Sequence, residues 1–233
     1  SQLDTSFRLL NHIISEVQVN QEVADGLIQK TLQVRENSLS NPKSLLWNGL
    51  QNYAVYGKQS PLNDQLSNRH LEALTSKDLL DDFKHIFIYK PQILYYGESS
   101  VERVTSIVKN SGFLKGEILE SPQMDYQRKA MNQMEIYVLN YDLKKSEILF
   151  LSKGTPFNKK ELATNSVFNE YYGGGMSSVV FQEIREKKAL AYQAFAVHTT
   201  AKDTTKPQYT YAYLGCQTDK TIEAIESMLN ILN

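Results

Sequence analysis

FNEYYGGGMSSVVFQEIREKKALAY, residues 168–192, is the stretch that decides how the rest of the chain is read. It opens as the end of a helix. Ala163, Val167 and Tyr171 recur every fourth residue, with Thr164, Phe168 and Tyr172 beside them. Gly173, Gly174 and Gly175 then stop that helix, because glycine accepts the left-handed backbone of a helix C-terminus. A second helix is expected from residues 176–178, burying Met176, Val179, Val180 and Ile184 at i, i+3, i+4 and i+8. It runs out at residues 186–188, where lysines suit the negative end of the helix dipole. From about Ala189 the chain turns extended. In this helix–glycine–helix–strand block, the polar exceptions are Arg185 and Tyr192.

With GGGMSS followed by FQEIREKKALAY, the block closely resembles the second-half signature of the pitrilysin/insulinase family of zinc metallopeptidases. There a Gly-Gly-Gly turn leads to a helix ending in Arg-Glu-Lys, followed by a strand that starts Leu-Ala-Tyr or Leu-Gly-Tyr. A triple glycine alone is a weak signal; joined to REKKALAY it becomes specific.

Composition bounds the alternatives. The chain has 233 residues, 41% hydrophobic and 22% charged, ordinary for a globular protein with room for one large domain or two small ones. Twenty-five basic and 26 acidic side chains give a net charge of -1. No basic stripe points to nucleic acid and no acidic tail to a basic partner. No apolar run is long enough to span a membrane, and no charged-then-apolar leader opens the chain. Cys216 is the single cysteine, so the chain can form neither an internal disulfide nor a thiolate zinc cluster. It reads as a small hydrophobe packed in a strand. Cytoplasm and cell envelope or periplasm are both compatible with such usage.

Working outward, Phe7, Leu10, Ile14 and Val17 place a first helix over residues 4–18. Asn20 caps a second, with Val23, Leu27 and Ile28 on one face, running to about Ser38. Asn41-Pro42 starts a third that carries Leu45, Leu46, Trp47, Leu50 and Tyr53 and stops at Gly57. Thr75 begins another, with Leu79, Leu80, Phe83 and Phe87 apolar. Residues 92–98 read as a buried strand, and Ser99 or Ser100 caps a helix with Val101, Val104, Ile107 and Val108. Residues 112–130 are the expected linker. Strands are expected over 133–140, 146–152, 189–199 and 208–217, and a last helix that buries Ile222, Ile225, Leu229 and Leu232.

That last helix repeats the apolar spacing of the first, each with an aspartate three residues earlier, Asp219 and Asp4. Each half of a pitrilysin-like chain contains two similar α+β units with a helix after the final hairpin. The resemblance therefore implies a chain that starts inside one unit and stops inside the next. The expected organisation is a helix-rich end of one unit over residues 1–115, closed by the strand near 92–98, and the α+β start of the next over 116–233. The fold class is α+β, antiparallel sheets packed against helices.

The family's catalytic motif is H-x-x-E-H on a helix: two histidines bind zinc and the glutamate activates the bound water. None of His12, His70, His85 and His198 stands in it. His12 and Glu16 are one turn apart and read as a solvated ion pair. Glu183 and Glu186, beside lysines, read as a solvated helix face. No metal ligand set is expected in this chain. Zinc is expected in a catalytic half, in the same polypeptide or in a partner subunit.

Arg185 and Tyr192 stand seven residues apart. The resemblance implies that they reach from the non-catalytic half toward the zinc-bound substrate. Guanidinium and phenol both donate hydrogen bonds, which suits a scissile carbonyl oxygen becoming an oxyanion. The structural alternative is that Arg185 pairs with a surface carboxylate and Tyr192 packs in the sheet. Gly173–Gly175 read either as a tight interhelical turn or as a backbone that approaches a substrate or anion at a helix N-terminus. The function implied is the non-catalytic, peptide-contacting portion of a zinc metalloendopeptidase; the alternative is a catalytically dead scaffolding member of the same fold family.

Overall fold

The structure, a computed structural model, describes residues 2–112, 118–122, 124–201 and 203–232. In chain order its helices are α1 (Gln2–Ser15), α2 (Gln21–Leu39), α3 (residues 42–56), α4 (Asn68–Ala73), α5 (Ser76–Ile86) and α6 (Val101–Asn110). The strand β1 (Lys145–Pro156) follows, then α7 (residues 162–173), α8 (Phe181–Lys187), the strands β2 (Ala191–Thr199) and β3 (Pro207–Gln217), and α9 (Thr221–Leu232). The chain forms two compact units, residues 1–36 with 65–125, and residues 37–64 with 126–233.

The first unit is helical, and local chemistry sets its helix starts. Asn20 accepts from the Val23 amide at 3.1 Å at the head of α2. Ser67 caps α4, Ser100 caps α6, and Thr75 and Asp78 exchange bonds in a full capping box on α5. Arg35 ties α2 to the start of α4 by donating to the Leu66 carbonyl at 2.7 Å and to Asn68 Oδ1 at 2.8 Å. Among the described residues its buried apolar side chains are few: Ala24 and Ile28 on α2, Val104 and Val108 on α6. Val23, Leu27 and Val101, expected inward, are exposed.

The second unit carries the larger core. β1, β3 and β2 form an antiparallel sheet in that order, with Ile148 and Ala194 both opposite Leu214. Residues paired across a ladder share a face. On one face Ala194, Ala196, Ala212, Leu214 and Cys216 bury against Val180 and Ile184 of the α8 segment and Ala224 and Met228 of α9. On the other, Trp47 of α3 stacks on Phe195, ring centroids 6.3 Å apart and 5° from parallel, and touches Tyr211 and Tyr213 at 5.8 and 6.0 Å. Asn41 caps α3 through the Lys43 and Ser44 amides, and Gly57, at φ 66°, ends it. The sheet is thus sandwiched between helices, the α+β class expected.

Two expected strands do not form. Among the described residues 92–98 carry no ladder, and the nearby pairing is a parallel bridge between Tyr89 and Leu119. Residues 133–140 take up no regular structure, and among the described residues the backbone from 130 to 140 makes no backbone hydrogen bond. A strand requires a partner in register, and alternation alone does not supply one. The alternation is real: Met134, Ile136 and Val138 point outward at 81%, 80% and 82% exposure, while Glu135 and Tyr137 turn to the Lys129 ammonium. In α9 the buried face is Ala224, Ser227 and Met228, whereas Ile222 and Leu232 are exposed.

Candidate functional site

The segment 162–192 builds the site on β2 and the end of β3. On α7 the inward face is Phe168 and Tyr172, stacked at 4.9 Å, with the Tyr172 hydroxyl donating to the Ile231 carbonyl. Val167 and Tyr171 face outward. Asn169 closes part of the free edge of β2: its amide donates to the His198 carbonyl at 3.0 Å, and its oxygen accepts from the His198 N–H at 2.7 Å. From Asn169 to Gly173 the helix widens to π-type turns.

The glycines then answer three separate needs. A Cβ on Gly173 would overlap the Ala196 carbonyl, and one on Gly174 would come within 2.8 Å of the Asn169 carbonyl. Gly175 has open space but φ 81°. Gly174 and Gly175 thus serve the turn, and Gly173 the approach of the helix end to the β2 backbone. Met176, expected in the core, is exposed, because the chain does not become helical again until after Ser178. Ser178, fully buried, donates to the Gly175 carbonyl at 2.9 Å and accepts from the Phe181 amide at 3.4 Å, so it caps the new helix.

α8 is itself π-type, and π turns gather at functional sites. Ile184 on its inner side and Val180 just before it bury completely. Arg185 lies on its outer side, half exposed, with the guanidinium 4.7 Å over the Phe181 ring and Nε 3.8 Å from Glu186. Glu183 pairs with Lys187. Both glutamates therefore sit in a solvated, salt-bridged helix face. The helix closes through the Leu190 amide, which donates to Ile184 at 3.0 Å, and Ala189 at φ 49° turns the chain into β2.

Tyr192 occupies a β-bulge: Ala191 lies opposite Cys216 and Gln193 opposite Gly215, leaving Tyr192 as the extra residue. Its ring lies across Gly215, where a Cβ would approach within 2.7 Å. The phenol donates to Glu147 Oε1 at 2.8 Å, and the buried Tyr213 hydroxyl donates to Glu147 Oε2. Lys145 Nζ sits 5.0 Å from the Tyr192 ring centroid. Burial first, and the neighbouring Glu147 carboxylate second, hold both phenols well above the usual tyrosine range. Arg185 and Tyr192 share no hydrogen bond or ring contact. Glu147 and Tyr213 are the residues that sequence reasoning missed; the only signal was that Glu147 breaks the apolar side of β1.

Among the described residues no three His, Cys, Asp or Glu side chains come together as a metal site. His198 bonds Thr210 at 2.8 Å instead. Cys216 is fully buried, its thiol pushed up by desolvation. No helix among the described residues is long and apolar enough to cross a membrane.

A sheet covered by helices on both faces, with a glycine-linked helix pair leading into an edge strand, defines an α+β unit. Residues 92–233 match the peptidase M16 inactive domain, and the chain belongs to that family, the pitrilysin/insulinase peptidases. It is 27% identical over 217 residues to an uncharacterized zinc protease of Rickettsia felis, covering 86% of this chain and 48% of that protein. The chain thus spans about half the length of the curated relative it matches. In fold it is similar to the peptidase M16 inactive domain of Pseudomonas fluorescens, with a TM-score of 0.67 at 16% identity over 97% of this chain and 54% of that one. It is also similar to the ferredoxin protease FusC, solved with Arabidopsis ferredoxin, with a TM-score of 0.70 at 13% identity over 99% of this chain and 25% of that one.

Proposed function

We propose that this chain is the non-catalytic, substrate-contacting portion of a zinc metalloendopeptidase. Zinc and its activated water belong to a catalytic half in the same polypeptide or in a partner subunit. Arg185 and Tyr192 are hydrogen-bond donors to the carbonyl oxygen of the peptide bond being cut. The observation that carries this reading is the bulge at Tyr192, which takes a tyrosine out of the strand alternation and leaves it 38% exposed. Bulges re-aim side chains in this way beside active sites. An oxyanion donor acts when charge develops, so its loss lowers turnover more than it weakens binding.

The test is Tyr192→Phe in the protein that includes the catalytic half. Turnover is expected to fall on the order of a hundredfold, with a small change in KM. A variant with native turnover removes the reading.

A second reading, a scaffolding member without proteolysis, is favoured by one observation: the Tyr192 proton is committed to Glu147. Zinc content and peptide hydrolysis of the protein with its other half separate the two. One zinc and measurable cleavage support the peptidase; neither supports the scaffold.

A further inference from the structure

The arrangement around Glu147 deepens the proposed function and rests on it. A phenol has one proton to donate. In this chain Tyr192 gives it to Glu147 at 2.8 Å, so an oxygen on a substrate must compete with a carboxylate for it. The two ends of the cluster are unequal. Tyr213 is 1% exposed, lies under Trp47 and Phe195, and holds one oxygen of Glu147. Tyr192, on its bulge, is the accessible partner on the other oxygen. Glu147 and Gly215 are opposite one another in the ladder, so the carboxylate stands beside the one β3 position that leaves room for the Tyr192 ring.

We propose that Glu147 is a positioning residue: anchored by Tyr213, it rests the Tyr192 phenol over Gly215 and yields it only to an acceptor as strong as itself. A neutral amide carbonyl does not displace a charge-assisted bond to a carboxylate, whereas an oxygen that carries developing negative charge does. The donor is thereby withheld from the bound peptide and released to the transition state. Binding energy realised only there raises turnover instead of lowering KM.

Glu147→Gln tests this in the peptidase with its catalytic half. The amide keeps one oxygen for Tyr213 and presents an N–H group to Tyr192, which frees the phenol proton for the ground-state carbonyl. KM is expected to fall about fivefold, the equivalent of one ordinary hydrogen bond, with no rise in kcat. In a Tyr192→Phe background the same Glu147→Gln change leaves KM unaltered, since the proton at issue is gone. Glu147→Asp, whose shorter reach withdraws the carboxylate, shifts KM in the same direction and serves if the glutamine variant does not fold. On this chain alone, with tyrosines labelled with carbon-13 at Cζ, Glu147→Gln is expected to move the Tyr192 resonance and lower its alkaline midpoint.

An unchanged or raised KM in Glu147→Gln overturns the proposal, as does the same KM shift in the Tyr192→Phe background or an unmoved Tyr192 resonance. If Tyr192→Phe lowers turnover while any of these holds, the inference fails and the peptidase reading stands. If Tyr192→Phe keeps native turnover, both fall.

Discussion

Gly173 lies so close to the carbonyl of Ala196 that no side chain fits between them. Through that contact the end of α7 rests directly on the backbone of β2, next to the Asn169 bonds that close the strand edge at His198. Gly173→Ala is therefore expected to destabilise the second unit by about 3 kcal/mol or more, since the obstacle is backbone in a packed core. Gly175→Ala meets only its positive φ and is expected to cost about 1 kcal/mol. Denaturant unfolding of the two variants checks the ranking; equal losses would show that the helix can lift off the strand.

Trp47 is the only tryptophan, and it belongs to the second unit, stacked on Phe195. Its fluorescence should report the unfolding of that unit alone, while far-ultraviolet circular dichroism also registers α1, α2 and α4–α6. Trp47→Ala removes the aromatic lid over Tyr211 and Tyr213 and is expected to cost about 3 kcal/mol. Unchanged stability in that variant would mean that α3 contributes nothing to the sheet.

What the sequence made legible was chemistry that acts over a few residues. Asn20, Asn41, Thr75 and Ser100 announce helix starts because a short polar side chain can reach the next turn's amides. Gly57 and Gly173–Gly175 announce stops, and alternation marks β1 and β3. The orientation of helices was less legible. α9 has apolar side chains on more than one face, so its spacing admits a seam through Ile222 and another through Ala224, and only packing selects the second. Met176 fits the helical spacing of Val180 and Ile184, yet the chain is not helical there. Residues 92–98 and 133–140 have strand-like composition, but pairing is a long-range property. The same is true of the site: Arg185 and Tyr192 stand out locally, whereas Glu147 meets Tyr192 only through the register of β1 on β3.

The second unit is expected to lose stability in alkali. Cys216, with an ordinary value of 9.0, and Tyr192, Tyr209, Tyr211 and Tyr213, with 10.0, are all pushed up in the fold, in each case chiefly by burial. A raised acid stays protonated in the folded chain while the unfolded chain has already released its proton. Between the two values the unfolded state binds fewer protons, so stability falls as pH rises. Full stability should persist below about pH 9 and decline through pH 10 and above. Urea midpoints by Trp47 fluorescence at pH 8 and pH 10.5 test the sign. In Tyr213→Phe the decline should be shallower, because one buried proton no longer contributes.

Arg185 separates stability from function most cleanly. Its side chain is 48% exposed, and its partners are the face of Phe181 and a Glu186 oxygen at 3.8 Å. Solvent screens an ion pair of that length, and exposed pairs of this kind contribute about 0 to 1 kcal/mol. The stacking on Phe181 adds about 0.5 to 1 kcal/mol at an exposed site. Arg185→Lys keeps the charge and much of the stem, so the melting temperature of this chain should move by no more than about 3 °C. On the proposed function, the expectation for the protein with its catalytic half is different. A lysine offers a compact point charge on a different reach where the guanidinium offers several donors fixed in one plane. Turnover should then fall at least tenfold while the melting temperature stays put. If turnover and melting temperature fall together, Arg185 serves the fold; if neither changes, it is a solvated helix end and Tyr192 is left as the single donor.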